Sequence, residues 1–234
     1  AAGSGLKRRQ VGIMAWHLPV RDGKGIVIDS GLTRRAAEEM GLERFDAAAQ
    51  ARVTGALLRA GTILITHEHV DHEGGLVALG DPAVMAKARL NPDQIEGNRW
   101  TEMLPWPQGA RPQPSLAGTD PVAVAPGVVV IPAPSHTPGS QMVYVRLANG
   151  REFLFTGDIA TFAQSWRETR ARSRLIGEWF APENREEVFA WLKTIKVWKE
   201  QAPSLLIMPG HDYQAVIDRE RPTGVQLGFS LPPV

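Results

Sequence analysis

Thr66-His67-Glu68-His69-Val70-Asp71-His72 follows the apolar run Ile63-Leu64-Ile65 and leads into Glu73-Gly74-Gly75. Three imidazoles and a carboxylate between positions 67 and 72 form a candidate metal site. On an extended segment, side chains at i and i+2 point the same way, so His67 and His69 can grip one ion together. The next ligands need a bend. Gly74-Gly75 with the apolar Leu76, Val77 and Leu79 predicts a turn there into a short helix, which lets Asp71 and His72 aim at a second point. Neutral imidazole nitrogen and carboxylate oxygen suit zinc and, less selectively, iron, manganese or cobalt.

The rest of the chain repeats the pattern of an apolar strand-like run followed by a ligand-type side chain. Val128-Val129-Val130-Ile131 precedes Pro134-Ser135-His136-Thr137-Pro138-Gly139. Phe153-Leu154-Phe155 precedes Thr156-Gly157-Asp158, and Leu205-Leu206-Ile207-Met208 precedes Pro209-Gly210-His211-Asp212. All the histidines except His17 therefore fall at or just past strand ends. His17 itself, ahead of Leu18-Pro19, reads as structural or as part of a site rim.

HxHxDH, then the His of S-H-T-P-G, the Asp of F-T-G-D and the His of P-G-H-D, in that order, resemble the metallo-β-lactamase superfamily from about Val27 to Asp212. The resemblance implies an α/β fold, a four-layer αβ/βα sandwich with two metals at one edge of the central sheets. It also implies that His67, His69 and His136 hold the first metal, that Asp71, His72 and His211 hold the second, and that Asp158 bridges both. The expected cofactors are two divalent ions, zinc first, with iron, manganese or cobalt as alternatives.

Two divalent ions about 3.5 to 4 Å apart share one hydroxide and lower the pKa of bound water toward about 7, so no serine or cysteine nucleophile is needed. The expected reaction is hydrolysis of an ester-like or amide-like bond, one metal polarising the carbonyl while the other steadies the leaving atom. Asp71, or a metal-bound water, returns the proton to the leaving group. Asp212, Thr66 and Ser135 are candidates for orienting the ligands from behind, by adjacency alone.

The dedicated β-lactamases of the superfamily usually carry Cys or Ser at the bridging position. Asp158 therefore points to the lactonase, glyoxalase II and related hydrolase branches, with a lactone as the first substrate class. The step from His136 to Asp158 and the run Thr137-Pro138-Gly139-Ser140-Gln141 look most like the lactonases. One departure is Thr161, where quorum-quenching lactonases commonly place a tyrosine three residues after that Asp. Thioesterase activity, β-lactamase activity and oxidoreductase chemistry of the mononuclear iron persulfide dioxygenase kind are the alternatives.

Composition agrees with a single domain over 1–234, since 234 residues bury a large core. A formal net charge of +1 makes no electrostatic case for a nucleic-acid partner, so a small-molecule substrate is expected. There are no cysteines, which removes disulfides and leaves the redox compartment open. No apolar run approaches membrane-spanning length and no signal-peptide core is apparent. The opening Ala1-Ala2-Gly3-Ser4 lacks Met, which fits a processed leader, a truncation or a cloning scar. Localisation and oligomeric state stay open.

Hydrophobic periodicity predicts strands at 12–16 and 25–29 with a turn around Arg21-Asp22-Gly23, a helix from N-cap Thr33 to Met40, and a helix over 45–60 closed by Gly61. Strands follow at 62–66, 128–131, 141–147, 152–156 and 205–208. A helix starting near Pro182 buries Val188, Trp191, Leu192, Ile195 and Trp198, and Pro203 blocks its extension past Gln201. Residues 91–117, with Trp100 and Trp106, and 161–181, with Phe162, Trp166, Trp179 and Phe180, resist assignment and are candidate substrate-selecting loops. Arg167, Arg170, Arg172 and Arg174 read as a solvated helix face, with an anionic substrate group as the alternative.

Overall fold

The computed structural model describes residues 10–20, 24–218 and 222–229, without the side chain of Phe180. The turn expected at Arg21-Asp22-Gly23 and the opening Ala1-Ala2-Gly3-Ser4 lie outside the described residues. The chain folds as two compact units, one from 13–117 with 226–229, the other from 118–225 with 10–12.

In the first unit, Ile26, Val27 and Ile28 are all buried, as expected of a strand covered on both faces. They form β2 (Ile26–Ile28), antiparallel to β1 (Trp16–Leu18) and parallel to β3 (Thr62–Leu64), which pairs in parallel with β4 (Ala88–Arg89). The sheet order is β1-β2-β3-β4. Among the described residues, the α-helices that accompany it are α1 (Arg34–Glu39), α2 (Ala47–Arg59), α3 (Val70–Leu79), α4 (Pro82–Met85) and α5 (Arg99–Met103). Val27, Leu57, Ile63, Ile65, Leu76 and Leu90 make the centre of its core, and Trp106 packs against them. Thr33 caps α1 by accepting from the Ala36 N–H at 3.1 Å, as the sequence predicts.

Two expectations change here. The first strand is at 16–18 rather than 12–16, so His17 lies within it, opposite Val27 and edge-on to the Phe229 ring. The glycine pair is not the bend. His69 is the N-cap of α3 and the helix already runs through Asp71 and His72, so Gly74 and Gly75 lie inside it. Gly75 is needed for close approach instead, because a Cβ there would run into the Ser30 carbonyl.

The second unit holds β5 (Val122–Ala125), β6 (Val128–Pro132), β7 (Gln141–Arg146), β8 (Glu152–Gly157) and β9 (Leu206–Pro209), in that spatial order. β5 to β8 form an antiparallel meander, and β9 joins β8 in parallel. That parallel pair requires a long crossover. It contains α6 (Ala163–Arg167), a π-helical turn over Leu175–Phe180, and α7 (Arg185–Gln201), and α8 (Tyr213–Ile217) follows β9. Asn184 caps α7 by accepting from the Glu187 N–H. The helix ends at Gln201 as expected, with Val188, Leu192 and Ile195 buried and Trp191 and Trp198 partly covered.

Leu192 is fully buried against Ala160 and Val188. Leu192→Ala should lower the unfolding free energy by about 2–5 kcal/mol. Chemical denaturation monitored by circular dichroism measures this, and a change below about 1 kcal/mol would mean that α7 does not anchor the unit.

Candidate functional site

Each unit gathers potential ligands where strands end. In the first unit, β3 stops at Leu64 and the following segment carries Thr66, His67 and His69 into α3. His67 Nε2 and His69 Nδ1 stand 3.0 Å apart. Two nitrogens on one tetrahedral zinc, each about 2.0–2.1 Å away, lie about 3.3 Å from one another, so this pair fits a shared ion. Asp71 and His72 occupy the first turn of α3, with Asp71 Oδ2 3.8 Å from His72 Nε2.

The corner after β2 fixes this arrangement. Ser30 N–H and Oγ–H both donate to the His72 carbonyl, at 2.7 and 2.8 Å, and the Leu76 N–H donates to Ser30 Oγ at 2.9 Å. Asp29, at φ 61°, turns its carboxylate under the histidines. Its Oδ2 lies 2.9 Å from His72 Nδ1, and it accepts from the Thr66 N–H at 2.7 Å and from the Thr66 hydroxyl. The sequence reading assigned Thr66 an orienting role by adjacency, and the structure places it on Asp29, a residue which that reading missed. A carboxylate that accepts a hydrogen bond from the Nδ1–H of His72 leaves Nε2 as the lone-pair donor.

Glu68 and Glu73 are also buried here, and neither was expected to be. Burial, with added repulsion from the Glu68 and Asp29 carboxylates, pushes the Glu73 carboxyl well above the usual carboxylate range. Trp100, from the first irregular stretch, packs edge-on against the His69 ring at 4.2 Å, whereas Trp106 joins the core.

In the second unit, β8 ends at Gly157, whose φ of 50° and ψ of −145° suit glycine, and Asp158 opens the next turn. Asp158 Oδ1 faces His211 Nε2 at 3.1 Å and Oδ2 faces His136 Nε2 at 3.8 Å. One carboxylate thus presents a separate oxygen to each of two imidazoles. Both rings are held from behind: His211 Nδ1 donates to the Gly12 carbonyl at 2.8 Å, and His136 Nδ1 lies 3.1 Å from Glu183 Oε2. Because a carbonyl only accepts, neutral His211 carries its proton on Nδ1 and its lone pair on Nε2.

Burial raises the Glu183 carboxyl, the Asp158 charge adds to that shift, and Arg172 and Arg185 oppose it. Ser135 and Asp212 bond to the backbone. Ser135 Oγ–H donates to the Ala133 carbonyl, and Asp212 accepts from the Ala215 and Ala163 N–H groups to hold α8 and the loop after Thr161.

A sequence model of the metallo-beta-lactamase superfamily matches residues 16–211. The chain belongs to this superfamily. Its fold is accordingly the α/β sandwich of the metallo-β-lactamase type, to which the two units contribute a sheet and helices each.

Among solved structures of the fold, a quorum-quenching N-acyl homoserine lactone lactonase superposes with a TM-score of 0.68 at 19% identity, over 94% of this chain and 89% of the other. An N-acyl homoserine lactone hydrolase with N-hexanoyl-L-homoserine at its catalytic metal center gives 0.66 at 19% identity, over 95% and 90%. A dizinc quorum-quenching lactonase gives 0.58 at 14% identity, over 84% and 71%. No curated protein sequence matches the chain. Among the described residues no helix is long and apolar enough to cross a membrane.

The candidate ligands that the sequence names thus lie at strand ends or helix starts, and the groups that hold them from behind come from far along the chain. Glu183 reaches His136 from 47 residues away, and Asp29 reaches His72 from 43. Glu183→Gln should remove a negatively charged support of His136 and weaken metal retention by about 10–100-fold. Competition with a chromophoric chelator measures the change, and undiminished affinity would show that His136 needs no anionic partner.

Proposed function

We propose that the protein is a metal-dependent hydrolase that opens a carboxylic ester, first among these a lactone. His67, His69 and His136 would hold one divalent ion, Asp71, His72 and His211 would hold a second, and Asp158 would serve both. Zinc is the ion that the donor set favours, with iron, manganese or cobalt as alternatives. When bound, the ions supply Lewis acidity and a water nucleophile at neutral pH.

The protein groups set up this chemistry. Asp29, Glu183 and the Gly12 carbonyl hold His72, His136 and His211 with Nε2 outward, so little reorganisation is needed on binding. Asp71, in the first turn of α3, carries a proton to the leaving alcohol oxygen in this reading.

The observation that carries the reading is the Asp158 carboxylate, which points one oxygen at His211 and the other at His136. A serine or cysteine there could not do this. The lactone preference is supported by the resemblance of Thr137-Pro138-Gly139-Ser140-Gln141 to lactonases and by the lactonases among the structures of similar fold.

Elemental analysis followed by a panel of N-acyl homoserine lactones, thioesters and β-lactams tests the reading. Two ions per chain with lactone hydrolysis foremost is the expected result. Two ions and no hydrolysis of any of these would refute it, and one iron with thiol-dependent oxygen uptake would replace it by a dioxygenase.

A further inference from the structure

The basic run does not behave as one face. Arg174 is exposed beside Glu178 at 3.6 Å, Arg170 pairs with Glu168 at 3.0 Å, and Arg167 lies over the Trp166 ring. Arg172 turns inward: its side chain is 12% exposed and its guanidinium pairs with Asp158 Oδ2. Nε donates to Thr161 Oγ1 at 3.2 Å and lies 3.9 Å from Glu183 Oε2. The Arg172 carbonyl accepts from the Arg185 guanidinium, which ties the segment to the start of α7.

A buried guanidinium is costly unless it is paired, so this placement depends on those oxygens. The fork has five N–H donors. The contacts named use Nε and one Nη, which leaves donors for a further oxygen or a pair of them.

We propose that Arg172 is the charged donor to the acyl oxygen of the substrate, meeting the carbonyl oxygen of the ester and then the carboxylate of the product. The assignment rests on the ester-hydrolase reading. Water oxygen adds to the carbonyl carbon, and the carbonyl electron pair moves onto the oxygen that Arg172 faces. The pair then returns to re-form C=O as the ring C–O bond breaks with its electrons on the alcohol oxygen, which takes one proton of the water; the other passes to solvent when the acid ionises, and nothing is oxidised or reduced. Arg172 meets charge that grows along this path, and its planar fork matches the carboxylate that results. Thr161 orients the fork through Nε.

The test uses the zinc-loaded full chain as wild type, Arg172→Gln and Arg172→Lys. Its readouts are zinc content, kcat and KM on N-hexanoyl-L-homoserine lactone, and calorimetric affinity for the ring-opened acid. Arg172→Gln should keep its zinc, lose on the order of 10²-fold in kcat with little change in KM, and bind the acid about 10-fold or more weakly, with Arg172→Lys recovering part of each. Unchanged acid affinity in Arg172→Gln would overturn the assignment. So would activity that merely tracks lost zinc in both variants, which would make Arg172 a prop for Asp158, and so would a wild type that does not bind the acid. If the wild type hydrolyses no ester, the hydrolase reading falls and takes the donor role of Arg172 with it, whereas ester hydrolysis with unchanged acid affinity in Arg172→Gln would overturn the Arg172 assignment alone.

Discussion

Asp158→Asn should leave the purified protein short of its full metal complement and should lower ester hydrolysis by about 10³-fold, the equivalent of about 4 kcal/mol of transition-state stabilisation. The carboxylate offers one oxygen toward His136 and one toward His211. An amide keeps a single acceptor oxygen and turns an NH₂ group, which ligates no cation, toward the other imidazole. The substitution also removes the charge that Arg172 faces, leaving Glu183, 3.9 Å from Nε, as the nearest named carboxylate.

Breaking a buried pair at one partner costs about 3–5 kcal/mol, so the metal-free variant should also melt at a lower temperature than metal-free wild type. Metal content by elemental analysis, kcat/KM on the lactone and calorimetric melting separate the two effects. A variant with full metal content and full activity would show that Asp158 bridges nothing.

The strands and the candidate ligands were legible in the sequence for the same reason. Apolar runs such as Phe153-Leu154-Phe155 are readable as buried strands, and a polar ligand-type residue immediately after one has few structural explanations once the pattern recurs. The supports were not legible, because nothing local marks Asp29 as the residue beneath His72. Its φ of 61° and its contact with Thr66, 37 positions later, exist only in the folded chain. Glu183 is similar: it reads as an ordinary residue just before the cap of α7.

The basic run fails differently. Alternating arginines on a polar segment suggest a solvated face, and only the geometry between α6 and α7 turns Arg172 away from water. The glycine pair misled because Gly-Gly reads as a bend, whereas Gly75 is a spacer against the Ser30 carbonyl in a helix that has already begun. The short strands β4 and β5 carry too few residues, or too weak an alternation, for period alone to find them.

His69→Ala should remove most of the activity, by about 10³-fold, and lower the metal content. The argument is local to the first unit. His69 Nδ1 and His67 Nε2 lie 3.0 Å apart, so deleting one ring removes one of the two imidazoles that this unit supplies, and a site short of one donor holds a divalent ion more weakly. The fold should tolerate the change. His69 caps α3 through its backbone conformation, with no side-chain capping bond, and its carbonyl still accepts from the His72 and Glu73 N–H groups. The ring contact with Trp100 is lost, which should cost about 0.5–1.5 kcal/mol beyond the area exposed. Near-wild-type unfolding of the metal-free proteins, combined with lost metal and lost turnover, is therefore the expected signature of a ligand. A fully metallated, fully active His69→Ala protein would overturn the assignment of His69, and with it the reading of Thr66-His67-Glu68-His69-Val70-Asp71-His72 as a metal-binding sequence.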